Sequence, residues 1–191
     1  IAWTMNPSKY PIVPSRNDHM WIPYVYDLIP AALNPPFLED KWKHMSFQEL
    51  FATKDWPLKE AVESLLDLFL TSNPFKIASY FENTIQLIAN AAAKMLHMEI
   101  QLENVEIDFD QLFSLLIICV FASGLTSITE PLWFSYQFTE WADEFPGIQF
   151  AMSHMEGLRS FFLDLNYMEL REKSNRLKKE YEEKQAQEKK T

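Results

Sequence analysis

The sequence predicts an all-α fold, and three observations carry that prediction. Only three of the 191 residues are glycine, where an average soluble chain of this length holds about 13. Turn-rich β folds consume glycine, because tight turns need a positive φ that only glycine adopts cheaply. From residue 46 onward, helix-start signals recur ahead of stretches whose apolar residues fall at helical spacing. Residues 112–122, LFSLLIICVFA, are apolar except for Ser114, as in a helix surrounded on all sides by a core.

The first 45 residues read as an extended arm. Seven of the eleven prolines fall within the first 36 residues, and proline removes an amide donor and blocks interior helix bonds. The arm also carries Trp3, Tyr10, Trp21, Tyr24 and Tyr26, more aromatic surface than a linker leaves in water. It is expected to lie in a groove, either of its own domain or of a partner, with at most short helical turns. Ser46 and Glu49 then form a capping box, each side chain satisfying the other's amide. Asp55 is expected to cap the next helix, with Pro57 in its first turn and Leu58, Ala61, Val62, Leu65 and Phe69 as its apolar stripe. Asn73–Pro74 starts another helix, whose stripe runs from Ile77 through Phe81, Ile88 and Met95 to about Leu96.

Residues 99–109, EIQLENVEIDF, are acidic and loop-like. The apolar run after them is about half the ~20 residues that a membrane span needs, so it reads as a core helix with no membrane insertion. Gly124 is placed to close it in the left-handed conformation. Ser127 and Glu130 offer a further capping box ahead of Pro131 and a helix to about Trp141. Pro146–Gly147 opens a helix through Phe161 and Phe162, with Gly157 inside it, where close packing is the expected reason for a glycine. From Glu169 to Lys190 the chain is almost purely charged. Leu170, Leu177 and Tyr181 are too few for a coiled-coil seam, so this segment reads as a solvated helix, or a partner-binding one. The organisation is thus an arm at 1–45, a helical domain at 46–166 and a charged helix at 167–191.

Composition excludes several function classes. Seventeen Lys and Arg stand against 27 Asp and Glu, a net charge of −10. Such a chain lacks the basic face that nucleic acid or anionic lipid requires, and suits a basic protein partner instead. The single cysteine, Cys119, cannot form an internal disulfide or a cysteine-rich zinc site, and points to a reducing, cytoplasmic compartment. No signal-peptide pattern is visible, and Ile1 in place of methionine suits an internal fragment or part of a longer protein. Three scattered glycines cannot build a phosphate loop. His19, His44, His97 and His154 lack metal-ligand spacing and are expected to be surface or satisfied histidines. Cys119, inside the apolar run, is expected to be an inert core thiol. No cofactor is implied, and nothing points to a metabolic enzyme.

The segment IDFDQLFSLLIICVF, residues 107–121, sets an acidic residue, Asp110, at the head of the buried helix. One reading is a helix N-cap, stabilising by about 1 kcal/mol. The other is an exposed carboxylate held rigidly at the edge of a core, fit to enter another protein's cation site.

AVESLLDLFLTSNPFKIASYFENTIQLI (61–88), DFDQLFSLLIICVF (108–121) and GIQFAMSHMEGLRSFF (147–162) resemble successive helices of the vacuolar-protein-sorting-nine domain, nearest to its alsin-type versions, over about residues 55–165. The resemblance implies a layered helical bundle that acts as a guanine nucleotide exchange factor for endosomal Rab GTPases. It implies that Asp110 is the acidic finger that reaches the GTPase's phosphate-binding loop, pairs with its lysine and displaces Mg²⁺. Exchange is then accelerated by stabilising the nucleotide-free state, with no bond chemistry. Leu112, Phe113 and Ser114 follow Asp110 in the family's pattern of an acid, a polar residue, two apolar residues and proline, with Ser114 in the proline's place. Gly147, Ile148, Phe150 and Ala151 occupy the family's second GTPase-contacting segment, where the glycine and phenylalanine persist and the tyrosine and threonine hydroxyls are gone.

Two functions follow from this pattern. One is a Rab-binding exchange factor working through Asp110 and the apolar groove between the helices at 110–122 and 147–162. The other is a non-catalytic interaction or structural module of the same fold, joined to neighbouring subunits of a larger assembly through the arm 1–45 and the helix 167–191. The first implies association with endosomes, the second a scaffold such as a cytoskeletal assembly.

Overall fold

In the computed structural model, residues 25–99, 107–125, 127–139 and 146–188 are described, and every regular element among them is helical. Arm residues 1–24, the acidic stretch 100–106 and Trp141 lie outside the described residues. The described part of the arm is built into the core. Val25, Leu28, Ile29, Ala32, Leu38 and Trp42 are all buried. A 3-10 helix, Pro30–Leu33, ends at Asn34 in the left-handed conformation, φ 52°, and a short helix α1, Asp40–Lys43, follows. The amides of Phe47 and Gln48 donate to the carbonyls of Leu28 and Tyr26 at 3.0 and 3.2 Å. Residues 25–45 therefore share one core with the helices after them, and the packing shows no seam at residue 45.

Helix α2, Phe47–Ala52, carries the expected capping box. The Ser46 hydroxyl and amide both donate to the Glu49 carboxylate, at 2.6 and 2.8 Å, and these bonds hold the Glu49 carboxyl below its ordinary range. The expected cap at Asp55 is not formed. Helix α3, Lys59–Asp67, takes Leu58 as its N-cap residue, with no side-chain cap bond. Burial decides this: Trp56 and Leu58 are drawn into the core, and the turn that places them ends in Lys59 N donating to Trp56 O at 3.0 Å, leaving Asp55 exposed. Helix α4, Pro74–Glu99, spans 26 residues. The Asn73 carboxamide oxygen accepts from the amides of Phe75 and Lys76 at 3.0 and 3.3 Å, which satisfies donors that a helix start leaves unpaired.

Helix α5, Phe109–Ser123, is the apolar run, and every side chain from Leu115 to Ser123 is buried. Gly124 closes it with φ 66°. The Tyr26 hydroxyl fills the place that a Cβ on Gly124 would take. Helix α6, Thr129–Thr139, and helix α7, Pro146–Asp164, complete the bundle. The Glu130 amide donates to the Ser127 backbone carbonyl at the start of α6. Helix α4 is the common wall, packing against α3, α5, α6 and α7, while α5 also meets α2, α3, α7 and the Pro30–Leu33 turn. Polar atoms in these contacts find partners. Ser64 on α3 donates to Tyr80 O and accepts from Asn83 and Thr84, all on α4. Ser135 on α6 donates to Pro74 O at 2.6 Å.

The charged segment forms helix α8, Tyr167–Glu188, and its two halves differ. Its first half clamps the chain entering the core. Ser174 Oγ accepts from Ile29 N at 3.1 Å, and Arg171 pairs with Asp27 at 2.7 Å. Leu170 is buried, and the His44 ring stacks on Tyr181 at 3.9 Å between centroids. Beyond Tyr181, α8 is almost wholly exposed. Among the described residues, no helix is long and apolar enough to cross a membrane.

The closure of α5 makes a test of this packing. Gly124→Ala forces an L-residue into the left-handed region, which costs about 1–2 kcal/mol, and displaces the Tyr26 hydroxyl as well. Leu116→Ala, at the centre of α5, is expected to cost more, about 2–5 kcal/mol. Urea denaturation of the two variants checks both the size and the order of these losses.

Candidate functional site

The polar end of α5 reaches the surface where α7 packs beside it, and the local sequence fixes how. Two carboxylates stand near the helix start, and the structure separates their roles. The N-cap is Asp108, not Asp110. Asp108 Oδ1 accepts from Gln111 N at 2.8 Å, and Gln111 Oε1 accepts from Asp108 N at 3.1 Å. A complete capping box is thereby spent on Asp108. Asp110 falls in the first helical turn, exposed, and no described residue pairs with its carboxylate. A negative charge there is favoured by the helix macrodipole, so the position tolerates a carboxylate that caps nothing. Ser114 adds a second device, since its hydroxyl donates to the Asp110 carbonyl at 2.8 Å. Proline at 114 would lack an amide and crowd that same carbonyl, so serine keeps the helix regular from its first turn.

Exposed aromatic rings cluster at the same end of α5. Phe109, which precedes Asp110 on α5, and Phe150 on α7 are 41% and 47% exposed, and their ring centroids lie 6.5 Å apart, edge to face. Phe109 also stacks on Phe113 at 6.1 Å. Phe113 meets Phe161 edge-on at 6.4 Å, and Phe161 leads on to Phe121 in the core. A line of rings therefore runs from the surface beside Asp110 into the centre of the bundle. Gly157 makes part of it possible: a Cβ there would sit 2.9 Å from the Phe113 ring. Beyond Phe113 the surface opens into a groove of about 590 Å³ between α7 and the start of α8, lined by Gly157, Phe161, Leu165, Leu170 and Lys173 among others.

The eight residues expected at this site divide by burial. Asp110 and Phe150 are exposed, and Phe113, Ser114 and Gly147 are half-buried. Gly147 faces inward to α4, where the Glu82 carboxylate occupies the place a Cβ would take. Leu112, Ile148 and Ala151 are buried. The reason is periodicity. Ile148, Ala151, Met155 and Leu158 form the buried stripe of α7, which leaves Gln149 and Phe150 facing outward.

Two residues belong here that the sequence reading left out, Phe109 and His154. His154 was expected to be a surface or satisfied histidine, and it is wholly buried beneath Phe109 and Phe150, 4.3 and 4.8 Å between centroids. Its Nδ1 lies 3.0 Å from Phe150 O, which fixes the proton on Nδ1. Its Nε2 is buried without a hydrogen-bond partner among the described residues. Burial holds its pKa below 6.5, against a smaller opposing effect of the Phe150 carbonyl. His44 is held low for the same first reason, at the opposite contact on α8. His19 and the His97 side chain lie outside the described residues. Cys119 is buried in α5, where burial pushes the thiol up and keeps it protonated. No group of three or more His, Cys, Asp and Glu is gathered as a metal site requires, among the described residues.

Compared with known proteins, the chain matches no family model, no curated protein and no solved structure. The site's own geometry is therefore what bears on function.

The two aspartates are separable by stability. Asp108→Ala removes the cap and is expected to cost about 0.5–2 kcal/mol. Asp110→Ala removes only a first-turn charge and is expected to cost about 0.5 kcal/mol or less. Equal losses in urea titrations of the two variants would contradict the assignment of the cap.

Proposed function

We propose that this chain is a Rab-family GTPase-binding domain that acts as a guanine nucleotide exchange factor, with Asp110 as its acidic finger. The observation that carries the reading is the release of Asp110 from capping: Asp108 and Gln111 satisfy the helix start, and Asp110 stays exposed in the first turn of a rigid, buried helix. A carboxylate in that position can enter the phosphate-binding loop of a GTPase and pair with its lysine without any loss to the helix that presents it. Pairing there competes with Mg²⁺ and leaves the nucleotide phosphates with uncompensated charge, so nucleotide leaves faster. Phe109, beside Asp110 in the chain, and Phe150 are exposed rings in contact with each other, and they add apolar contact area for a partner that engages the carboxylate. The overall charge of −10 favours approach to a basic face.

The burial of Leu112, Ile148 and Ala151 favours a second reading, a non-catalytic interaction module of the same fold. Asp110, Phe109, Phe150 and Gln149, with the edges of Phe113 and Ser114, are the accessible side chains among the expected contacts and their immediate neighbours.

Release of a labelled guanine nucleotide, measured across a panel of Rab GTPases, separates the two. The exchange reading expects acceleration for at least one Rab, reduced about 5- to 150-fold by Asp110→Ala, the range of a coupling free energy of about 1–3 kcal/mol. No acceleration for any Rab leaves the non-catalytic module. Acceleration that survives Asp110→Ala removes the finger assignment while keeping the activity.

A further inference from the structure

We propose that His154, buried beneath Phe109 and Phe150, is the positioning residue for this exposed aromatic pair, a collar at the head of α5, and that protonating its ring takes the collar apart. Three observations place it in that role. It is wholly buried, so its orientation is set by packing. It touches both exposed rings of the collar, one from α5 and one from α7, while those rings meet each other only at 6.5 Å. Its two nitrogens are treated differently: Nδ1–H is spent on the Phe150 carbonyl, and Nε2 has no partner.

The neutral ring suits this place, because a bare Nε2 lone pair among aromatic edges costs far less than a buried charge. Protonation adds a charge and a second N–H donor where no described acceptor receives it. The ring must then move toward water or admit it, and Phe109 and Phe150 are the groups in the way. The surrounding charges do not offset this. On α5 the nearest in sequence to Phe109 are Asp108 and Asp110, of which Asp108 is engaged in its capping box and Asp110 is solvated. On α4 the carboxylate set against α7 is Glu82, at Gly147. The described span of α6 carries one charged residue, Glu130, a turn before the Trp133 over which Arg159 lies. Along α7 itself stand Glu156, Arg159 and Asp164.

The sign follows from burial. With the folded pKa below the unfolded value of 6.5, the neutral arrangement is complete above that pH and is lost as the pH falls through the lower folded value. The use of this collar for docking a GTPase rests on the function proposed above, whereas its dependence on His154 does not.

The test needs no partner. Ring resonances of the whole ¹³C-labelled chain are followed by NMR from about pH 7.5 to about pH 4.5. Phe109 and Phe150 are expected to shift together with His154, with one shared midpoint below 6.5, while Tyr181 follows His44 with its own midpoint. In His154→Gln, or in His154→Phe should the first fail to fold, the Phe109 and Phe150 shifts become flat over the same range. Collar rings that stay still while His154 titrates overturn the proposal. So does a His154 ring that never titrates, or a pH response that persists in the variant. Because the readout is the isolated chain, failure here is distinct from failure of the exchange reading, which only nucleotide release reports.

Discussion

A helix that is apolar on every side has to be enclosed, and this single constraint organises the protein. Residues 115–123 leave no face for water, so other elements must cover every direction around them. The chain does so with α2, α3, α4 and α7, and closes the remaining side with the segment around Pro30–Leu33. That is why a proline-rich stretch, ill suited to helix, is drawn into the core: it covers what helices leave open. The clamp from α8 follows in turn. Ile29 N loses water when the segment is buried, and Ser174 supplies the acceptor, since an unpaired buried amide costs about 1–3 kcal/mol.

The same constraint makes the site. An enclosed helix can meet solvent only at its ends. Its C-terminal end turns back at Gly124 beneath Tyr26, so its N-terminal end is the one presented outward. Capping there needs one acceptor, and the sequence provides Asp108 with Gln111 as its reciprocal partner. The second carboxylate is then surplus to folding. A charge that folding does not use, fixed on the first turn of a helix enclosed by the core, costs little entropy to present to a partner. Phe109 and Phe150 are packed in the same way, because each ring rests on groups continuous with the core: Phe109 on Phe113 and His154, and Phe150 on His154.

What the sequence disclosed and what it hid divide along the same physical line. The helix at 112–122, the Ser46–Glu49 box and the turn at Gly124 are local: composition, spacing or backbone freedom forces each within a few residues, and each forms as expected. The cap of α3 is not local. Asp55 has the better capping side chain, but the burial of Trp56 and Leu58 moves the helix start to Lys59. Asp108 and Asp110 are both plausible caps by type, and only the amide three residues on distinguishes them, Gln111 against Phe113. That signal was present in the sequence. The periodicity of Ile148, Ala151, Met155 and Leu158 was present too, and it already turned Ile148 and Ala151 inward. The packing of His154 against Phe109 had no local signal, since it joins two helices separated by a third.

In the proposed exchange-factor reading, hydroxyls are wanting from the second contact segment, and burial gives that absence a physical reason. At position 151 the side chain has no exposure at all, and at 148 very little. A threonine or tyrosine hydroxyl there would need a partner inside this core or would pay for its desolvation. Alanine and isoleucine meet that demand by carrying no polar atom, so their identity follows from how α7 packs in this chain. The groups left exposed at this surface have different chemistry, a solvated carboxylate and two aromatic rings. Interfaces concentrate binding energy in a few aromatic or charged anchors ringed by groups that exclude water. A patch built from Phe109, Phe150 and Asp110 has that composition without hydroxyls at 148 and 151, and its strength as a docking surface would depend on how firmly the two rings are held.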